Sequence, residues 1–275
     1  MEVARLIPGR TALLITSVAS IGLLAAGCAT PPPASDKAAV AAYNQANDPY
    51  EPFNRAMLKF NLALDKAILK PVAYAYRENV ADPLQTNVTN FLSNLRAPVI
   101  SANDLLQGEF ERAGTTLMRF TMNSTFGVLG INDLAGDLGM KEHSEDFGQT
   151  LATWDVDDGP YLVLPIFGPS NPRDGVGILA DSLMDPFGWV VPFEYRLGRA
   201  VGSAVDKRAQ NYDHINDLEK NSLDFYAAIR SLYRQRRVEE IRNGVPASDS
   251  SIPGGISVVP QKPDGQQSKA TSTEK

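Results

Sequence analysis

The sequence predicts an all-α fold, on three observations. Apolar residues recur at helical spacing in five separate stretches. The regular short-strand rhythm of a sandwich or barrel is missing. The chain's only cysteine, Cys28, leaves no intrachain disulfide to staple a loop-rich scaffold.

The first stretch opens at Asp48-Pro49-Tyr50-Glu51, which reads as a helix start. Asp48 serves as N-cap, Pro49 fits the first turn, and Glu51 closes a capping box. Phe53, Met57, Phe60 and Leu64 then share one face, while Leu58, Leu62, Ala63, Ile68 and Leu69 fall on others. A helix apolar nearly all round is buried or faces lipid. Pro71 is expected to end it. Leu84, Val88, Phe91, Leu92 and Leu95 mark a second helix that stops before Pro98. Phe110, Ala113, Leu117 and Phe120 mark a third, behind Gly108. Leu197, Ala200, Val201, Ala204 and Val205 mark a fourth. The fifth is expected from Ser222, carrying Leu223, Tyr226, Ile229, Leu232 and Tyr233, with Gly244 as its C-cap. Between them, Gly127, Gly130, Gly136 and Gly139 punctuate an apolar loop over 126–140. Tyr161 to Phe167 has the length of a strand but no evident partner, so extended loop is expected rather than sheet.

Residues 48–244 read as one folded domain. Residues 28–47 are rich in Pro, Ala, Ser and Asn and read as a tether. Of the 31 residues at 245–275, 18 are Pro, Gly, Ser, Thr or Gln and none is aromatic, so this segment is expected to be a disordered tail.

Composition narrows the functional classes. A net charge of −6 and a pI near 5.1 disfavour nucleic acid as a partner. One cysteine and two histidines, His143 and His214, leave little with which to build a zinc or haem centre, and no cofactor is expected. His143-Ser144-Glu145-Asp146 holds hydrolase residue types, but triads are built by geometry and no G-x-S-x-G elbow occurs. The better reading is a polar loop in which Ser144 or Asp146 caps a short helix running toward Thr153. Asp155, Asp157 and Asp158 before Gly159 read as a turn, since the spaced ligands of a calcium loop are missing. Asn171-Pro172-Arg173-Asp174 reads as a turn into a helix beginning near Asp174. Arg230, Arg234, Arg236 and Arg237 suggest either an anion contact or a solvated face. The 8 basic and 7 acidic residues between Asp206 and Arg242 favour the solvated face.

The N-terminus points to export. Arg5 and Arg10 precede an uncharged run from Thr11 to Ala26 and then Ala25-Ala26-Gly27-Cys28. Residues 1–27 thus look like a lipoprotein signal peptide, with Cys28 acylated after cleavage. The alternatives are a signal peptide whose cysteine stays free and an uncleaved anchor, because the uncharged run to Thr30 reaches the ~20 residues of a membrane span. Ala29, rather than Asp, follows the cysteine, which points to the outer membrane, periplasmic side.

Several motifs then accumulate in order: D-P-Y-E-P-F-N-R-A-M (48–57), N-F-L-S-N-L (90–95), N-D-L-L-Q-G (103–108), R-F-T-M-N-S-T-F-G (119–127), E-D-F-G-Q-T-L (145–151) and G-P-Y-L-V-L-P-I-F-G-P-S (159–170). On these the chain resembles the MlaA (VacJ) family of outer-membrane lipoproteins. The resemblance implies a single domain of helices forming a ring with a central amphipathic channel, half-embedded in the membrane. It implies a phospholipid substrate, an outer-membrane porin trimer beside the ring and a periplasmic carrier of MlaC type. It implies removal of misplaced outer-leaflet phospholipid for return inward, preserving lipid asymmetry. On this reading Met57, Phe60 and Asn61 of the first helix, with Phe126, Gly127, Leu129 and Gly130 of the glycine-rich loop, are expected along the lipid path. Phe126 to Gly130 is expected to act as a mobile gate. The rival classes are a scaffold lipoprotein that moves no lipid and an esterase using Ser144 and His143.

Overall fold

The computed structural model describes residues 48–244, together with residues 33, 35, 36, 40 and 43. The signal peptide, Cys28 and the 245–275 tail lie outside the described residues. The all-α expectation holds: the described chain is helical apart from one two-stranded hairpin.

Helix α1 (Glu51–Leu64) does not end at Pro71. It passes through a π-helical turn (Asp65–Leu69) into α2 (Lys70–Asn79). In a regular helix the Pro71 ring would clash with the Ala67 carbonyl and withhold one hydrogen bond. The widened turn, in which the Lys70 N–H reaches the Asp65 carbonyl, relieves that clash just upstream. The expected cap at Asp48 is also displaced. Tyr50 occupies the N-cap, and Glu51 pairs with Arg55 at 2.7 Å instead of closing a capping box. Asp48 works at longer range, accepting from Asn54 Nδ2 at 3.3 Å and from the Tyr226 hydroxyl.

Helix α3 (Asp82–Asn94) matches its expected span. Pro98 does not close it but opens α4 (Ala97–Gln107), which ends at Gly108 with φ +82°. Then follow α5 (Phe110–Thr125), a single turn α6 (Leu134–Asp137) and α7 (Phe147–Thr153), which Asp146 caps by accepting from the Gln149 N–H at 2.9 Å. Strand β1 (Leu162–Leu164) pairs antiparallel with β2 (Gly168–Ser170), so the stretch read as a loop is half of a hairpin. Asn171 caps α8 (Pro172–Met184), and Asp185 caps α9 (Pro186–Val190). Helix α10 (Phe193–Gln210), α11 (Tyr212–Asn221) and α12 (Phe225–Ile241) complete the fold. The last helix begins three residues later than the apolar pattern suggests, because Asp224 is its cap.

Packing closes a circuit. The α1–α2 rod meets α10; α10 meets α3; α3 meets α5; α5 meets α4; α4 meets α7; α7 meets α12; α12 meets β2; and β1 returns to α1. Two asparagines fix that last joint. Asn54 donates to the Tyr161 carbonyl at 2.9 Å and accepts from the Val163 N–H at 2.8 Å. Seven residues on, Asn61 does the same for the Leu164 carbonyl and the Ile166 N–H.

The interior is unusually polar. Among the described residues, 16 buried side chains are polar or charged and 10 are apolar. The largest fully buried ones include Gln149, Glu145, Asn54 and Asn103. Tyr161, Val163 and Tyr226 form a small apolar centre, with Met57, Leu58 and Tyr233 against it. The large apolar side chains point outward, among them Phe126, Trp189, Val190 and Phe193. No helix among the described residues is long and apolar enough to cross a membrane.

Candidate functional site

Helices α3, α4, α8, α9 and α10 line an open-sided cavity of about 450 Å³. Its wall has two characters. Leu92, Val99, Ile178, Phe193 and Leu197 give it apolar surface, and Arg96, Asp181, Asp185, Arg196 and Arg199 give it charge. The helical repeat explains the mixture. On α10 residues 193, 196, 200 and 203 return to one face, on α8 so do 178 and 181, and Asp185 follows from the turn between α8 and α9. Arg199 is tied to Asp185 at 2.6 Å. Asp181 accepts from Asn103 Nδ2 at 2.9 Å and from the Phe147 N–H at 3.1 Å. Burial nevertheless pushes its carboxyl up to about 6, and the charge of Asp146 adds to the rise. In volume the cavity falls within the roughly 300–1,000 Å³ of small-ligand sites. It can hold a polar head group but not two acyl chains as well.

None of the seven residues expected along the path lines this cavity. Met57 packs on the small apolar centre, and Asn61 holds the hairpin backbone. Phe60 is exposed on α1. Phe126 and Leu129 are 76% and 67% exposed, so Leu129 is not core. Val128, Leu129 and Gly130 form a left-handed turn, with φ of +56°, +61° and +90°. It is tied down: the Gly130 N–H donates to the Asn123 carbonyl at 2.7 Å, and Asn90 Nδ2 donates to the Ile131 carbonyl at 3.2 Å. Gly127 is required by close approach, since a Cβ there would lie 2.3 Å from the Asn132 carbonyl oxygen.

The 143–146 segment feeds two buried networks. His143 Nε2 faces both Asp104 carboxylate oxygens at 3.0 Å, not Ser144. Asp104, His143 and Glu145 are close enough to hold a cation, but a guanidinium already fills that role. Arg112 lies 2.5 Å from Glu145 and 3.6 Å from Asp104. Burial raises the Glu145 carboxyl in spite of the hydrogen bond from Gln107 and the Arg112 charge. The second network corrects the solvated-face reading. Arg237 is buried, bridging Asp146 at 2.7 Å and Asp174 at 2.8 Å. Desolvation works against the Asp146 carboxylate, yet the Arg237 hydrogen bonds hold its pKa below the usual range. Arg236, by contrast, is solvated and pairs with Glu240.

Sequence reasoning missed every charged residue of the cavity. The available signal was interleaving: Arg196 and Arg199 beside Leu197 and Ala200, and Asp181 and Asp185 four apart.

The profile of the MlaA lipoprotein family matches residues 46–240. The chain belongs to the MlaA lipoprotein family. The match spans every helix of the cavity and all of the hairpin. The intermembrane phospholipid transport system lipoprotein MlaA of Escherichia coli is 35% identical over 202 residues, 72% of this chain and 79% of its own. Its namesake in Haemophilus influenzae is 33% identical over 220 residues, 78% of this chain and 87% of its own. A solved structure described as the structural basis for maintenance of bacterial outer membrane lipid asymmetry superposes with a TM-score of 0.65 at 37% identity, covering 71% of this chain and 99% of that one. Both relatives carry the name of a phospholipid transport system, and Asp146 is a helix cap as expected.

Proposed function

We propose that the protein is an outer-membrane lipoprotein that withdraws misplaced phospholipid from the outer leaflet and passes it through the ring to a periplasmic carrier, maintaining lipid asymmetry. The observation that carries this reading is the two-natured cavity between α3, α4, α8, α9 and α10. A phospholipid has an anionic head and apolar tails, and its path must solvate both. The outward apolar side chains support seating in the inner leaflet, where helices keep their backbone groups satisfied. Half-bilayer seating is consistent with helices that, among the described residues, are too short or too polar to span. Cys28, acylated, is the anchor; three acyl chains exceed the two signals that stable anchoring takes. A porin trimer beside the ring and an MlaC-type carrier below it complete the route. Phe126, Gly127, Leu129 and Gly130 are the proposed gate, with Met57, Phe60 and Asn61 in the wall.

A strain lacking the protein is expected to accumulate outer-leaflet phospholipid. Restoring it with Ala200→Trp, which fills the cavity from α10, should leave abundance normal and the defect uncorrected. A scaffold that moves no lipid would be corrected as well by Ala200→Trp as by the native chain. Cys28→Ala is expected to leave an unprocessed precursor outside the outer membrane; correct sorting of that variant defeats the anchor.

A further inference from the structure

The two carboxylates of the cavity are held differently. Both oxygens of Asp185 are engaged, Oδ2 by Arg199 Nη1 at 2.6 Å and Oδ1 by the Phe187 N–H at 3.1 Å. Asp181 has both of its donors on one oxygen. Asn103 Nδ2 at 2.9 Å and the Phe147 N–H at 3.1 Å each reach Oδ1. Among the described residues nothing donates to Oδ2, and no Lys, Arg or His comes within ion-pair distance of Asp181. Oδ2 keeps access to the cavity that Asp181 lines. The amide that sets this orientation is itself fixed. Asn103 is fully buried, donates also to the Val99 carbonyl at 3.1 Å and accepts from Thr150 Oγ1 at 2.8 Å. Helices α4, α7 and α8 therefore hold the Asp181 carboxylate at one angle.

An ionised carboxylate satisfied only by neutral donors, in a wall that includes Val99 and Ile178, is costly to keep. Burial accordingly raises the Asp181 carboxyl to about 6, and above that pH it is a charge with no counter-charge in contact. A perturbed acid in a cleft, with one oxygen pinned and the other free, marks a ligand position. Its natural complement is a cation that donates hydrogen bonds. A primary ammonium does so; a quaternary one has no N–H and is taken by aromatic faces instead, of which this cavity has one, Phe193.

We propose that Asp181 is a specificity-determining residue of the cavity, receiving through Oδ2 the primary ammonium of a phosphatidylethanolamine head group. Asp185, already neutralised by Arg199, offers no second seat. The preference rests on the conduit reading above and gives it a head-group selectivity. It also gives binding a pH dependence. The charged groups that act on Asp181 are Asp146, which Arg237 keeps ionised, and Arg96; Arg196 and Arg199 of α10 line the same cavity. The arginines do not titrate, so the proton that competes with the ammonium is the one on Asp181.

The test uses the full chain purified in a non-ionic detergent, with calorimetric titration of the dihexanoyl forms of phosphatidylethanolamine, phosphatidylcholine and phosphatidylglycerol, and of free ethanolamine. At pH 7.5 the ethanolamine lipid should bind about tenfold more tightly than the other two. Asp181→Asn should abolish that advantage and leave the choline and glycerol lipids unchanged. Asp217→Asn, at an exposed carboxylate of α11, should change nothing. At pH 5.0, where about one Asp181 in ten is ionised, the native chain should lose about tenfold in affinity for the ethanolamine lipid alone. Circular dichroism melting checks that Asp181→Asn is folded; were it not, the pH dependence of the native chain decides. An ethanolamine advantage that is missing, that survives Asp181→Asn, or that is the same at both pH values overturns the role of Asp181 and leaves the conduit standing. Free ethanolamine binding as tightly as its lipid overturns the lipid assignment. Failure of the native chain to bind any of the three phospholipids overturns the conduit as well.

Discussion

Asp181 gives the molecule an unusual dependence on pH. Burial raises its carboxyl to about 6, so the folded protein keeps this proton where the unfolded chain has released it. Stability is then lost as pH rises from the ordinary carboxylate range through 6, and regained on acidification. Asp181→Asn can still accept from Asn103 and the Phe147 N–H, so it should stabilise the protein at pH 7.5 by ~1–2 kcal/mol, discounted for partial exposure, and not at pH 4.5. Thermal melts at the two values decide it; equal shifts at both would refute the burial argument. Asp146 behaves in the opposite sense, because its carboxylate is held by Arg237. Arg237→Met should destabilise by ~2–3 kcal/mol, leaving the buried Asp174 and the half-buried Asp146 without their cation. A denaturant midpoint near the native one would return Arg237 to the solvated face. Half of this was legible in the chain. Asp146 was readable as a cap because a cap acts within three residues. Its pairing with Arg237, 91 positions away, was not, because charge counts along a helix carry no word of a distant carboxylate.

At the scale of elements, the rod from Glu51 to Asn79 depends on one extra residue in its π turn. Deleting Ala67 would restore a regular helix, in which the proline ring meets the carbonyl four residues before it at a cost of ~3 kcal/mol. The expected result is loss of the cooperative thermal transition; an unchanged melt would mean that the turn has no structural role. The hairpin was unreadable for a related reason. Its second strand is Gly168-Pro169-Ser170, three residues without β-propensity. It is stabilised by β1 and by two asparagines of α1. Asn54→Ala should cost ~2–4 kcal/mol, because the Tyr161 carbonyl and Val163 N–H would be left buried without partners. The five apolar stretches did surface as helices, since periodicity is local. Pro98 misled because it stands in a first turn, where proline is tolerated, and Pro71 because the π turn just upstream relieves its clash. The left-handed turn 128–130 bears on the gate. Leu129→Glu there should change stability by less than ~0.5 kcal/mol, as Leu129 is exposed. Lowered lipid transport at normal abundance is the expected outcome; normal transport removes the gate.

Over the whole molecule, polar side chains fill the interior and large apolar ones cover the outside. Detergent removal should therefore aggregate the native chain, whereas soluble proteins of this size stay dispersed; light scattering after dilution below the micelle concentration reads this directly. The helical architecture was legible through motif resemblance, and the lining of the cavity was not, because periodicity says that a helix has an apolar face and not which medium that face meets. The same inversion governs how the chain would drift under random substitution. Oil-like cores accept many residues of similar volume, because dispersion has no direction. A core of amides and carboxylates has donors and acceptors at fixed angles, and a shape-conserving exchange such as Asn103→Leu would strand Asp181 and Thr150. In a saturation mutagenesis library, tolerance should run opposite to that of a water-soluble fold: permissive among greasy residues on the perimeter, and close to invariant at the hydrogen-bonded positions within.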